Sequence, residues 1–175
     1  MTALRALYLI APAVTAGVVH AVVLKLGVLR PLARPLDGGR GVFGANKTWR
    51  GPVVMIVASS VVVALQRLGD VGALALVDYR DPRTLLLGPA LGLGYSLAEL
   101  PNSFVKRRLG IEPGARRSRA QYVADQGDSA AGVALAVIVF IPDASVVAAV
   151  ALLGFALHAA VDRLLYAFHV KEVTL

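Results

Sequence analysis

The stretch SFVKRRLGIEPGARRSRAQYVADQGD, residues 103–128, stands between apolar segments and carries two clusters of positive charge. It begins with basic residues at 106–108, continues with three more at 116, 117 and 119, and ends with Asp125 and Asp128. Cations beside paired carboxylates are the side chains that phosphate chemistry with a divalent metal requires. The stretch therefore predicts a phosphate-handling site that the apolar segments hold at a membrane surface.

The composition is that of a membrane protein. Hydrophobic residues make up 57% of the 175 residues, charged residues 17%, and the mean hydropathy is +0.70. Five apolar stretches cover residues 7–28, 52–68, 85–100, 129–141 and 144–168. A helix needs about 20 apolar residues to cross a bilayer, so the third and fourth stretches must borrow flanking residues. We predict an all-α membrane protein with about five transmembrane helices, forming a single integral membrane domain over residues 1–175.

The positive charge lies in two loops. Residues 30–50 hold five basic residues against one acidic residue, and residues 101–127 hold six against two. Two predicted spans separate these loops, so both lie on one face, which the positive-inside rule assigns to the cytoplasm. The prediction is a multi-pass protein of the cell membrane with its N-terminus outside, two basic cytoplasmic loops and the active site facing the cytoplasm. Basic loops next to the membrane also explain the pI of about 10.2. The sequence contains no nucleic-acid-binding motif, so we expect no nucleic-acid partner.

The first basic loop leads into a helix that restarts near Pro52. Exposed amides and the positive end of a helix dipole favour phosphate at such a position. Lys47, Thr48 and Arg50 add charge and a hydroxyl group there. The alternative interpretation is a basic interfacial loop that places Trp49 in the aromatic belt.

Acidic residues follow the second basic loop. Asp125 and Asp128 share a face if the fourth helix has already begun, because positions three apart on a helix are neighbours. With Gln126 between them they predict a magnesium site, since Mg²⁺ prefers oxygen ligands and is usually shared with substrate phosphates. The alternative is that the two aspartates cap the fourth helix. Glu99, near the cytoplasmic end of the third helix, is costly there unless it is paired or binds a cation.

The last helix carries His158 and Asp162 four residues apart, and a structural pair explains them as well as a functional one. The topology rests on Lys and Arg counts alone. Even so, the 46–50 loop, Glu99, the two aspartates of the fourth helix and this pair all fall at one cytoplasmic boundary. We therefore predict that these side chains surround a single cleft beside the basic loops.

Three blocks, GANKTWRG at 44–51, SFVKRR at 103–108 and DQGDS at 125–129, together resemble the CDP-archaeol synthase family of membrane CTP-transferases, which is distantly similar to the phosphatidate cytidylyltransferases. The resemblance runs from about residue 37 to the C-terminus and includes HAAVDRLLYAFHVKEV at 158–173. It implies five transmembrane helices and the transfer of CMP from CTP to a lipid phosphate, with Mg²⁺ as cofactor. The products would be pyrophosphate and a CDP-lipid, CDP-archaeol-like or CDP-diacylglycerol-like, in phospholipid biosynthesis.

By matching motifs, the resemblance implies roles for several residues of the blocks. The nucleotide or phosphate site would contain Asn46, Lys47, Thr48 and Arg50. The phosphate-binding residues would be Ser103, Lys106, Arg107 and Arg108. The metal would be held by Asp125 and Asp128, with Glu99 as a further carboxylate. We predict as catalytic Lys106, Arg107, Asp125 and Asp128, and add to the substrate-binding residues Gln126 and His158.

The chain departs from the family's usual pattern at three positions. The family usually has Asp where Ala45 stands, Gly-Asp where Ala98 and Glu99 stand, and Asn where Asp162 stands. Two other functions are alternatives: a small membrane transporter, and a catalytically inactive membrane scaffold, which Ala45 and Glu99 motivate. The expected partners are CTP and a lipid phosphate, and the oligomeric state is open, with a homo-oligomer as one option.

Overall fold

The computed structural model describes residues 2–69, 72–113, 115 and 118–170, and within these residues it is all-α. Five α-helices form the structure: α1 (Thr2–Lys25), α2 (Arg50–Leu68), α3 (Leu87–Arg108), α4 (Arg119–Ile138) and α5 (Ala144–Ala167). Three short 3₁₀ helices lie in the connections: Arg30–Leu32, Gly72–Leu74 and Pro82–Leu86. Three helices, α1, α2 and α5, are long and apolar enough to cross a membrane. The prediction of five helices in an all-α protein is confirmed.

Helices α3 and α4 extend beyond the apolar stretches that predicted them. Helix α3 continues through the basic triplet, and α4 begins ten residues before the apolar stretch at 129–141. Ser118 caps α4, because its hydroxyl oxygen accepts a hydrogen bond from the Gln121 amide at 3.2 Å. Asp125 and Asp128 consequently lie in the second and third turns of α4, so the alternative that they cap this helix is wrong. Arg116 and Arg117, which belong to the second basic loop, lie outside the described residues.

The five helices form a closed bundle with one apolar end. Each helix packs against the next along the chain, α5 returns to α1, and α1 also contacts α3. The buried apolar cluster comes from the first halves of α1, α3 and α5 and from the second halves of α2 and α4. Its fully buried members include Leu9, Ile10, Val63, Leu87, Leu91, Val137 and Val150. Since α2 and α4 run opposite to the other helices, this cluster fills the bundle at one end, and polar side chains gather at the other.

Glycines set the packing of α3. A Cβ atom added to Gly88 or Gly92 would lie 2.5 Å from the Ser60 Cα or 2.6 Å from the Ile56 Cα of α2. A Cβ atom on Gly94 would lie 2.4 Å from the backbone oxygen of Gly132 in α4. The glycines of the third helix therefore allow close contact with both α2 and α4. These two interfaces fix the rotation of α3 and hence the direction of its polar face.

The loop between α1 and α2 is an ordered hairpin. Its two arms meet at an isolated bridge between Pro35 and Thr48. At its tip the Asp37 carboxylate accepts three backbone hydrogen bonds, from the amides of Gly39, Val42 and Phe43. These bonds, that from Phe43 above all, hold the pKa of Asp37 below its usual value. The hairpin presents Asn46 and Lys47 to the polar end of the bundle.

Candidate active site

A cavity of about 510 Å³ opens at the polar end of the bundle. Helices α3, α4 and α5 supply most of its polar wall, α1 supplies an apolar wall, and the hairpin loop contributes two side chains. Ten of the predicted site residues line it: Asn46, Lys47, Glu99, Ser103, Lys106, Arg107, Asp125, Gln126, Asp128 and His158. The cavity also contains Asp162. The structure thus brings together, in one cleft, residues that are spread over more than 110 positions of the sequence.

Three predicted residues do not line this cavity. Thr48 lies in the bridge of the hairpin. Arg50 donates a hydrogen bond from Nη1 to the Val28 carbonyl at 3.1 Å, so it ties α2 to the end of α1. Arg108 is exposed, and its guanidinium carbon lies 4.9 Å from the centroid of the Phe104 ring. The basic triplet therefore divides, with two cations facing the cavity and one facing outward.

The carboxylates of the cavity are linked to one another. The side-chain nitrogen of Asn102 donates to an oxygen of Asp125 at 2.7 Å and to one of Asp128 at 2.8 Å. The Ser129 hydroxyl lies 3.1 Å from the other oxygen of Asp128 and 3.1 Å from one oxygen of Glu99. Three carboxylates from two helices are thus connected through one amide and one hydroxyl group, which hold like charges at fixed positions.

The three cations of the cavity have two kinds of environment. Lys106 forms an ion pair with Asp125, and Lys47 forms one with Glu99, which docks the hairpin loop on α3. The Nε and Nη1 atoms of Arg107 are buried and have no hydrogen-bond partner within the described part of the chain. A buried donor without an acceptor costs about 1–3 kcal/mol, and more when it is charged. Arg107 is therefore prepared to bind an anion that enters the cavity.

Two further pairs connect α5 to its neighbours. The Tyr95 hydroxyl of α3 lies 3.2 Å from Nε2 of His158. Gln126 of α4 and Asp162 of α5 are each 1% exposed, and the amide nitrogen of Gln126 lies 3.5 Å from a carboxylate oxygen of Asp162. The polar wall of the cavity is therefore continuous across three helices.

Tyr95, Asn102 and Ser129 also line the cavity, and none of them is among the predicted site residues. Helical spacing contains a signal that finds them. Tyr95, Glu99, Asn102 and Lys106 follow one another at intervals of four, three and four, which is a polar stripe along one face of α3. On α4, Asp125 and Ser129 have the same four-residue relation.

The residues present fit a magnesium site shared with substrate. Asp125 and Asp128 offer carboxylate oxygens close enough to share one amide nitrogen. Among the described residues no group of three or more His, Cys, Asp or Glu side chains could hold a metal by itself. Mg²⁺ is usually bound by one or two carboxylates together with waters and substrate phosphates, so a two-aspartate site meets its needs. Glu99 lies beside this pair and contacts Lys47 and Ser129.

Comparison with known proteins gives one consistent family. The family model described as CarS-like, CDP-archaeol synthase, matches residues 1–175. Relatives described as CDP-archaeol synthase include one from Methanosphaerula palustris, 35% identical over 79% of this chain and 88% of the relative. One from Halobacterium salinarum is 35% identical over 83% of this chain and 85% of the relative.

A further relative, from Methanoregula boonei, is 37% identical over 62% of this chain, and the chain spans 62% of that relative's length. It is also described as a CDP-archaeol synthase. No solved structure matches the chain. Since the family model covers every residue from 1 to 175 and the relatives share one description, the chain belongs to the CarS-like CDP-archaeol synthase family.

Proposed function

We propose that this protein transfers CMP from CTP to a lipid phosphate, giving a CDP-lipid of the CDP-archaeol type and pyrophosphate. The observation that carries the proposal is the cavity in which partly buried cations face linked carboxylates. Arg107 has unpartnered donors there, and Asp125 and Asp128 are held together by Asn102. The description of the relatives as CDP-archaeol synthases supports the same reaction.

The two walls of the cavity suit an amphiphilic acceptor. Val14 and Leu24 of α1 and Leu157 and Val161 of α5 form an apolar surface next to the charged cluster. Lipid chains can occupy this surface from the bilayer while the lipid phosphate reaches Lys106 and Arg107. With the cavity on the cytoplasmic side of the cell membrane, as the basic loops predict, water-soluble CTP would enter from the cytoplasm.

The chemistry is a single displacement at phosphorus. An oxygen of the anionic lipid phosphate attacks the α-phosphorus of CTP, and the bond from that phosphorus to the bridging β-phosphate oxygen breaks. Pyrophosphate leaves with the bonding electron pair, so no covalent enzyme intermediate is needed. The task of the protein is to place two mutually repelling anions and to stabilise the charge of the transition state. Lys47, Lys106 and Arg107 would do this.

The carboxylates have a complementary task. Asp125 and Asp128 would hold Mg²⁺, which when bound screens the negative charge of the phosphates. Asn102 orients the two aspartates by donating to both. Lys106, paired with Asp125, would be shared between that carboxylate and the phosphate of an incoming ligand. Glu99 would stand behind Lys47 as a further carboxylate of the same site.

The test of the reaction uses purified full-length protein with labelled CTP, Mg²⁺ and a panel of lipid phosphates. The panel contains phosphatidic acid and unsaturated ether-lipid phosphates, so the acceptor class is decided in the same experiment. Transfer of the labelled nucleotide to the organic phase, stopped by a chelator, is the expected result. Absence of a CDP-lipid with every acceptor, in folded protein that also fails to bind CTP, would argue for the transporter or scaffold interpretation.

Asp128→Asn provides the matched variant. It removes one negative charge from the linked carboxylates without changing the size of the side chain, and we expect turnover to fall by roughly a hundredfold or more. Asp143→Asn is the control, because Asp143 caps α5 at the other end of the bundle and asparagine also caps helices. Near-normal activity of the Asp128 variant, with an unchanged thermal transition in detergent, would remove Asp128 from the metal site.

A further inference from the structure

One buried pair in the cavity is not used by the phosphate chemistry. Gln126 and Asp162 face each other across α4 and α5, and each is 1% exposed. The Gln126 nitrogen is directed at Asp162, whereas its Oε1 oxygen is buried and has no hydrogen-bond partner among the residues that the structure describes. Buried side-chain acceptors are nearly always satisfied, so an unsatisfied one at a cavity wall is available to a donor that arrives with a ligand.

Asp162 fixes the direction of the Gln126 amide. A carboxylate can only accept hydrogen bonds, and a glutamine amide has one donating and one accepting end. Turning the amide over would place its oxygen against the carboxylate oxygen, with two acceptors in contact and the donor lost. The pair therefore holds one acceptor, Oε1, in a fixed orientation on a side chain that lines the cavity. An asparagine at position 162 could rotate to suit either orientation of Gln126, but Asp162 cannot.

We propose that Gln126, oriented by Asp162, accepts a hydrogen bond from the nucleoside part of the nucleotide and thereby selects the nucleotide substrate. This inference rests on the proposed function. Phosphate oxygens of the ionised triphosphate and of the lipid phosphate are acceptors and cannot satisfy Oε1. The nucleoside carries the donors: the exocyclic amine of cytosine and the ribose hydroxyls. Gln126 is thus a specificity-determining residue, and Asp162 is a positioning residue that acts through it.

The proposed selection between nucleotides depends on the cost of leaving the buried Oε1 oxygen of Gln126 without a hydrogen-bond donor. A uracil nucleotide presents a carbonyl oxygen where cytosine presents an amine, so it would set a second acceptor against Oε1. A site built to bond a donor rejects an analogue that lacks it, because the buried group of the protein is then left unpaired. If the ribose supplies the donor instead, the site distinguishes deoxyribonucleotides from ribonucleotides and is indifferent to the base.

The experiment measures initial rates of CDP-lipid formation by full-length wild-type protein with nucleotides that differ at single groups. N4,N4-dimethyl-CTP lacks the amine donors, and UTP replaces them by an acceptor. The 2′-deoxy and 3′-deoxy forms of CTP each lack one ribose hydroxyl. If Gln126 bonds the base, we expect kcat/KM to fall about tenfold to a hundredfold for the base analogues and to stay at the CTP value for the deoxy forms. If it bonds the ribose, we expect the same fall for one of the deoxy forms and no fall for the base analogues.

Two variants test whether this nucleotide preference depends on Gln126 and Asp162. Gln126→Met keeps the length of the side chain but removes the amide, so the preference that wild type shows should fall to within about threefold of equality. Asp162→Asn releases the amide, so kcat/KM for UTP should rise relative to kcat/KM for CTP, whereas a merely structural role would lower both values alike. If the ribose is read, the Gln126 variant loses the preference against the deoxy form instead.

The outcomes distinguish a failure of the proposed reaction from a failure of the proposed role of Gln126. If wild-type protein makes no CDP-lipid from CTP, the proposed function fails and the inference with it. If it makes CDP-lipid but uses all the analogues as well as CTP, only the inference is overturned, and this result needs no variant to fold. Preferences in both variants equal to those of wild type would overturn it too.

Discussion

Two neighbouring arginines on α3 occupy different environments, and this difference predicts that mutation of only one of them lowers activity. Arg107 faces the cavity with buried and unpartnered donors, whereas Arg108 is exposed beside Phe104. We expect Arg107→Ala to lower kcat/KM for CDP-lipid formation by roughly a hundredfold, as expected when a donor that stabilises developing charge is removed. Arg108→Ala is the matched control, one residue away, and should stay within about threefold of wild type. Equal losses in the two variants would contradict the division of the basic triplet.

Glu99 can be a partner of Lys47 or a ligand of the metal, and one isosteric change distinguishes the two. Glu99→Gln keeps a group that Ser129 can bond but removes the charge that holds Lys47. As a positioning residue, Glu99 affects nucleotide binding, so KM for CTP should rise roughly twofold to fivefold, the range for a partly exposed ion pair. The Mg²⁺ concentration for half-maximal activity should stay constant. A raised Mg²⁺ requirement with an unchanged KM for CTP would make Glu99 a ligand instead.

Residue types and charge counts predicted the contents of the cavity better than its internal contacts. Glu99, Asp125 and His158 could be placed at one boundary because helix direction follows from the alternation of spans and loops. Their partners could not be predicted, since whether Asn102 meets both aspartates depends on the rotation of α3 against α4. That rotation is set by the packing of Gly94 against Gly132, a tertiary contact that composition does not reveal.

At the scale of elements, the contact between α3 and α4 depends on the absence of two side chains. A Cβ atom on Gly132 would lie 2.0 Å from the Gly94 carbonyl oxygen. We expect Gly132→Ala to force the helices apart and to destabilise the protein by about 1–3 kcal/mol, which is the usual cost of overpacking. The measurement is the thermal transition of the purified variant in detergent.

Gly127→Ala is the control for this variant, because it lies on the same helix and its added Cβ would be 3.9 Å from the nearest ring carbon of Phe155. Ordinary van der Waals contact at that distance leaves only the helix preference of alanine, so stability should be kept or raised by up to about 1 kcal/mol. An equal loss of stability in the two variants would show that the backbone of α4 requires glycine at both positions, and that the contact with α3 does not explain the loss.

The existence and order of the helices followed from hydropathy, whereas the ends of α3 and α4 did not. Both helices continue past their apolar stretches into charged sequence, α3 to Arg108 and α4 back to Arg119. Hydropathy identifies segments whose side chains lipid or a protein core can cover. The polar turns at the ends of α3 and α4 line a cavity instead, so hydropathy does not detect them. The Ser118 cap was the local signal for the start of α4, since serine is a preferred N-cap residue.

At the scale of the whole molecule, exposed leucines surround the bundle. Leu65 of α2, Leu97 of α3, Leu135 of α4 and Leu152 of α5 are each more than half exposed. Helices α3 and α4 therefore present apolar side chains outward, even though their charged turns keep them below the apolar content of the other three. Such a surface suits contact with lipid chains, and we accordingly expect all five helices to span the bilayer, with the charged turns directed into the cavity.

Five spans place the two basic loops and the connection between α2 and α3 on opposite sides, and cysteine labelling tests this arrangement. The chain contains no cysteine, so each introduced thiol reports alone. Ala33→Cys in the first basic loop and Leu109→Cys after α3 should resist a membrane-impermeant maleimide in intact cells and react after permeabilisation, because basic loops are retained in the cytoplasm. Ala73→Cys, between α2 and α3, should react in intact cells. All three positions are exposed, and none of the changes alters charge, so the charge bias that sets topology is kept. Labelling of Ala33→Cys and Ala73→Cys from the same side would mean that α2 does not cross, and the cavity would then lose its assignment to the cytoplasmic face.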